Sequence, residues 1–240
     1  MINWTVARIT LRALLGRRRF LLLLPLPALM VVLAAIASGF GAAPRDWVPA
    51  VVVGMGFAGV LPVMALIVGA SVLGSEIDDG TAVHLLTKPL PRREIVLTKL
   101  LVASLVTVVT VGAAMAATAL LAAGEQPRLL PGMLAGTAVG AVAYCTLFLT
   151  LSLLTRRPVL IGLAYVLVWE SLLANLVEGT AVLSIQQYSL ATTVAVSGTD
   201  LFGSRVSTPV SLAMAAIVTV GAAALAVDRL RSFSVAGETS

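Results

Sequence analysis

With one cysteine, Cys145, and one histidine, His84, in 240 residues, the chain cannot build a disulfide framework or a His/Cys metal centre. Charge is scarce too. Asp, Glu, Lys and Arg make up 11% of the residues, against about 25% in an ordinary soluble domain. Hydrophobic residues reach 59%, which speaks against a water-soluble fold. No G-x-x-x-x-G-K-[ST] loop occurs, so the usual phosphate cradle for ATP is missing. No cofactor or metal of the chain's own is expected, and no catalytic residues. The apolar segments show no period-two alternation, which excludes the strands of a membrane barrel.

What is present is a series of apolar helices. Six segments, 20–40, 48–74, 95–123, 133–154, 159–177 and 209–227, each approach or exceed the roughly 20 residues that cross a bilayer. They predict an all-α integral membrane protein of six transmembrane helices forming one domain over residues 1–240. The first follows Arg17-Arg18-Arg19 and has the look of a twin-arginine leader. Its apolar run of about 19 residues nevertheless exceeds the 7–15 of a secretory signal, so it is read as a retained span. With the N-terminus inside, thirteen of the sixteen Lys and Arg fall on the inner side and only Arg45, Arg128 and Arg205 outside. That bias predicts a multi-pass protein of the cell membrane with both termini cytoplasmic. Anionic lipid headgroups account for the basic excess without nucleic acid.

Residues 1–18 read as an amphipathic helix ahead of the first span. Trp4, Ala7, Leu11, Leu14 and Leu15 share one side, Arg8 and Arg12 a flank, and Ile2, Val6, Ile9 and Ala13 a second apolar stripe. The pattern fits a helix lying along the inner surface, its second stripe available for protein contact. A plain extension of the first span is the alternative. Farther on, Gly54-Met55-Gly56-Phe57-Ala58-Gly59 matches a dinucleotide fingerprint in letters only, because it lies inside an apolar helix; close helix packing is the better reading. Gly132, Gly136 and Gly140, four apart on one face, predict a second tight contact, within the chain or between subunits.

Between the second and third spans lies a charged island, residues 75–94. Glu76 and Asp78 close the preceding helix, and Asp79 and Thr81 flank Gly80 as N-cap candidates. Val83, Leu85 and Leu86 fall in a short helix stopped at Lys88-Pro89, and Pro91 and Glu94 suit the first turn of the next one. Lys99, one turn further, has the reach to snorkel back to the headgroups. A plain solvated loop would not require three large apolar residues presented to water.

The pattern Glu76, Gly80-Thr81, Leu85-Leu86, Lys88-Pro89, Arg92, Glu94-Ile95 and Lys99 resembles the signature between the second and third helices of ABC-2 type transporter permeases. The six-span layout and the N-terminal helix extend the resemblance along the chain. It implies that 1–18 is the elbow helix and 75–94 the cytoplasmic coupling loop, with Glu76, Gly80, Thr81, Val83, Leu85, Leu86, Lys88 and Arg92 contacting an ATPase. It also implies two ATPase subunits, which bind the ATP and magnesium, and a second permease, identical or homologous. The chain itself would be no enzyme. Its second and fifth spans would line a path for export of a hydrophobic or amphipathic compound. A force-transmitting permease acting on an extracytoplasmic partner fits the same motif. A secondary transporter fits less well, since paired mid-span charges and related halves are missing.

Two features stay open. Glu170 falls about 18 Å into the fifth helix at 1.5 Å per residue, where an ionisable group is expensive unless paired or hydrated. It lines a polar path, or it is a structural anchor reaching the outer surface or an outer arginine. Residues 178–208 form the longest outer connection, with Gln186-Gln187-Tyr188-Ser189 suited to cap a short helix or re-entrant turn, as a gate or as a packed lid.

Overall fold

The computed structural model describes residues 4–15, 24–78, 92–122, 127–173 and 179–235. Helix α1 is Trp4–Leu15 and α2 is Pro25–Gly39. Helix α3 joins Pro44–Pro49, a π-helical stretch Ala50–Val60, and Leu61–Asp78. Helices α4 (Arg92–Leu121) and α5 (Leu129–Leu154) follow, then α6, which joins Pro158–Ala164 to a π-helical Tyr165–Leu173. A 3₁₀ turn at Thr180–Leu183 leads into α7 (Ile185–Ser197), and α8 is Thr208–Val235. No strand occurs among the described residues.

Among the described residues, four helices are long and apolar enough to cross a membrane: Pro44–Val72, Arg93–Leu121, Leu129–Leu154 and Thr208–Leu230. Pro25–Gly39 and Pro158–Leu172 are shorter apolar helices. The segments predicted as first and fifth spans, 20–40 and 159–177, run into residues 16–23 and 174–178, outside the described set.

Several ends differ from the apolar boundaries. Helix α3 starts at Pro44, behind an extended Ala43, because proline at a first helical position gives up only an N–H that has no intrahelical partner. Helix α5 starts at Leu129 and carries Pro131 in its first turn for the same reason. Helix α8 continues past residue 227 to Val235, with Asp228 and Arg229 exposed; charge ends an apolar run without ending a helix. In α3, Pro62 has no N–H to offer Ala58. Just upstream the ladder is wound wider, and the Leu61 amide bonds to the Gly56 carbonyl five residues back.

That winding corrects the reading of the Gly54–Gly59 stretch. A methyl at Gly56 would strike Met115 Cε at 2.5 Å and Met30 Cε at 3.2 Å, whereas Gly54 and Gly59 meet nothing within 4 Å. Close approach falls on one glycine, not on the motif.

Helix α5 is the hub of the bundle, packed against α3, α4, α6, α7 and α8. Its apolar window is 67% buried, against 22% for α8 on the periphery. Gly69 of α3 lets the helices close in, since a Cβ there would sit 3.1 Å from the Cys145 carbonyl oxygen. Tyr144, Cys145, Phe148 and Leu149 of α5 and Leu61, Met64 and Leu66 of α3 build the centre. Leu97, Leu101, Leu105 and Val109 form an exposed stripe at four-residue spacing on α4. Apolar exposure costs nothing against acyl chains, so close shape fitting and interhelical hydrogen bonds, more than hydrophobicity, decide which faces turn inward.

Helix α1 packs on α4 and α3. Thr10 and Leu14 are buried, Ala7 rests against the core, and Arg8, Arg12 and Leu11 are exposed. The stripe assigned to the membrane surface is therefore split: Ala7 and Leu14 serve protein contact and Leu11 does not.

Candidate functional site

Residues 179–208 fold against the bundle. Helix α7 lies within them, and its residues from Ile185 through Thr193 are all buried. At about 1.5 Å per residue its 13 residues rise roughly 20 Å, short of an approximately 30 Å hydrocarbon core. It packs along α5 and against α8 and α3.

The face it meets on α5 is the glycine stripe. A Cβ at Gly132 would lie 2.7 Å from Ser197 Cβ and 2.8 Å from the Thr193 carbonyl oxygen; one at Gly136 would strike Thr193 Oγ1 and the Ser189 carbonyl, and one at Gly140 would strike Ser189 Oγ. Ascending α5 thus meets descending α7, each glycine matched to a hydroxyl residue at the same four-residue spacing. Those hydroxyls are satisfied on their own helix. Ser197 Oγ donates to the Thr193 carbonyl at 2.6 Å, Thr193 Oγ1 to Ser189 at 2.9 Å and Ser189 Oγ to Ile185 at 3.2 Å. Bonded back in this way, Ser and Thr pack as small side chains and leave no donor stranded.

At the N-terminus of α7 sits Glu170, 1% exposed. Its Oε1 accepts from the Ile185 amide at 2.9 Å and from Tyr165 Oη at 3.0 Å, and its Oε2 accepts from Ser184 Oγ. Ser184 is also the N-cap, its Oγ accepting from the Gln187 amide at 3.3 Å. An acceptor at the positive end of a helix, met by three donors, offsets much of the cost of burying a carboxyl group. The π-helical winding of α6 carries Tyr165 and Glu170 on the same stretch, five residues apart and joined by that hydrogen bond. Trp169 Nε1 reaches the Leu183 carbonyl at 3.4 Å and Tyr188 Oη the Val182 carbonyl at 2.7 Å. A reach to the outer surface, one form of the anchor reading of Glu170, does not fit a side chain 1% exposed; its hydrogen bonds tie α6 to α7 inside the bundle.

Aromatic packing backs this latch. Tyr144 stacks on Phe148 at 5.9 Å, and Phe148 meets Tyr165 edge-on at 6.3 Å. Tyr165, Ser184, Thr193 and Ser197 were not singled out from sequence, and Ser189 only as part of a stretch suited to cap a short helix. The spacing of that series mirrors the glycine stripe and was the available signal. No group of three or more His, Cys, Asp or Glu able to hold a metal occurs among the described residues.

In the charged island, Gly80, Thr81, Val83, Leu85, Leu86 and Lys88 lie outside the described residues. Glu76 is in the last turn of α3, and Arg92 opens α4. Lys99 departs from expectation. It is 0% exposed, and its Nζ donates to the Val72 carbonyl of α3 at 3.0 Å. Position 99 shares the inward face of α4 with Ile95, Val96 and Ala103, opposite the exposed leucine stripe, so the ammonium points into protein and does not snorkel.

A helical bundle with apolar outer faces and four helices of membrane-crossing length defines a polytopic membrane protein. The profile of the ABC-2 family transporter proteins matches residues 15–187, and the chain belongs to that family. A comparison with curated proteins finds no match.

Proposed function

We propose that the chain is the permease subunit of an ATP-binding cassette exporter, with six spans and both termini on the cytoplasmic side of the cell membrane. Helix α1 acts as the elbow, and residues 75–94 form the coupling loop. Through Glu76, Gly80, Thr81, Val83, Leu85, Leu86, Lys88 and Arg92 the loop docks on an ATPase. Two such subunits bind ATP and magnesium, and a second permease, identical or homologous, completes the path. The cargo is hydrophobic or amphipathic, in keeping with apolar helices that offer few charges to a polar solute.

The observation that carries the reading is the family match, which runs through the whole charged island and into α7. Glu170, Tyr165 and Ser184 hold α7 in place, so α7 serves as the packed lid of the path, and the glycines at 132, 136 and 140 form its intrachain seat. The experiment is co-purification with an ATPase subunit, followed by ATP hydrolysis. Leu85→Asp with Leu86→Asp should lower association and coupled hydrolysis at least about tenfold, the scale on which charge buried in an apolar contact acts. Unchanged association and hydrolysis would remove the docking assignment.

A further inference from the structure

The two helices framing residues 79–91 are α3 and α4, and a buried lysine joins them. The bond from Lys99 Nζ to the Val72 carbonyl lies about 10 Å along each helix from that segment, taking 1.5 Å per residue from Asp78 and from Arg92.

The α3 backbone does not need this bond. Inside an α-helix the Val72 carbonyl has a donor in the amide four residues on, so taking the ammonium away strands no acceptor there. A buried lysine pays a desolvation penalty, which the polar contacts it makes must offset. The inward face of α4 around Lys99 is otherwise well supplied with apolar side chains, among them Ile95, Val96, Val102, Ala103 and Val106. Packing alone does not call for a lysine there. What the bond supplies is axial register. Helix contacts in lipid have little hydrophobic drive and rest on shape, whereas an ammonium on one particular carbonyl fixes how far α4 stands along α3.

We propose that Lys99 is a positioning residue that locks α3 and α4 in one axial register, so that force applied at residues 79–91 moves both spans as one lever. The lever rests on the proposed ATPase contact of that segment; the register itself does not. Hydrogen exchange on the full chain, alone and in complex with its ATPase, separates the two. In Lys99→Met, amides at the inner ends of α3 and α4 should exchange about tenfold faster, the scale of a lost charge-assisted hydrogen bond. The melting temperature should stay at the wild-type value. Lys99→Arg should restore protection, or Lys99→Gln where the bulk of arginine lowers the yield. In the complex, vanadate trapping should change exchange in both helices of the wild type, and in α3 or α4 alone, or in neither, in Lys99→Met. Wild-type protection in Lys99→Met would overturn the proposal, as would accelerated exchange throughout the bundle with a lowered melting temperature, or a normal response to trapping. If the wild-type chain binds no ATPase, the functional reading and the lever fall, while the exchange of the chain alone still decides the register.

Discussion

Gly136 of α5 lies so close to Thr193 of α7 that no methyl group fits between them. The contact depends on two different economies of volume. The glycine has no side chain, and the threonine hydroxyl is bonded back to Ser189 at 2.9 Å, which keeps it compact and satisfied. Repeated at Gly132 and Gly140, the arrangement buries a helix too short to span the bilayer without leaving its hydroxyls unpaired.

Gly136→Ala should therefore destabilise the fold by about 1–3 kcal/mol, the usual cost of overpacking. The added methyl meets the Ser189 carbonyl as well as Thr193, and backbone cannot move aside as a side chain can. Gly59→Ala, which meets nothing within 4 Å, should be neutral or slightly stabilising. Thermal unfolding of both variants in the same detergent checks the contrast.

Glu170→Gln keeps one acceptor oxygen but puts an amide donor where the second stood. The Ser184 hydroxyl, which donates to the wild-type carboxyl group, must then reverse to accept, giving up its bond to the stronger acceptor. The expected loss is about 1–3 kcal/mol, with exchange faster at the start of α7 than elsewhere. Transport should fall only in proportion to folded protein. Normal stability with altered transport would instead assign Glu170 to the path.

The single proton of Thr150 Oγ1 is shared between the Ala222 carbonyl of α8 at 2.8 Å and the Thr146 carbonyl at 2.7 Å. Helix α8 is the least buried of the four long helices, and this lateral bond adds a directional contact to its packing on α5, α7 and α4. Thr150→Val should cost about 0.6–1.7 kcal/mol, the range of interhelical hydrogen bonds in membranes, and should broaden the distance distribution between spin labels on α5 and α8.

The proposed sidedness rests on the distribution of basic residues. Arg45, Arg128 and Arg205 are exposed. Single cysteines at these positions, in a Cys145→Ser background, should react with an impermeant maleimide from outside, and cysteines at Lys88 and Arg156 should not. The reverse pattern would invert the topology.

The sequence by itself determined that this is a helical membrane protein of the ABC-2 type. Apolar runs and the charged island between them are one-dimensional features, and the bilayer turns the apolar runs into helices without tertiary help. It also marked Gly132, Gly136 and Gly140 as a contact face. The tertiary structure alone decided what fills that face. Helix α7 is too short for a span and rich in hydroxyls, so by composition it read as a short helix or re-entrant turn within an outer connection; the fit of Ser189, Thr193 and Ser197 into the glycines shows it as core. Glu170 and Lys99 make the same point with charge. Sequence gives the depth of an ionisable residue along its helix, but not the face it turns toward its neighbours. That rotation is set by which other helices pack there, and it directs the Glu170 carboxyl group to the start of α7 and the Lys99 ammonium to the Val72 carbonyl.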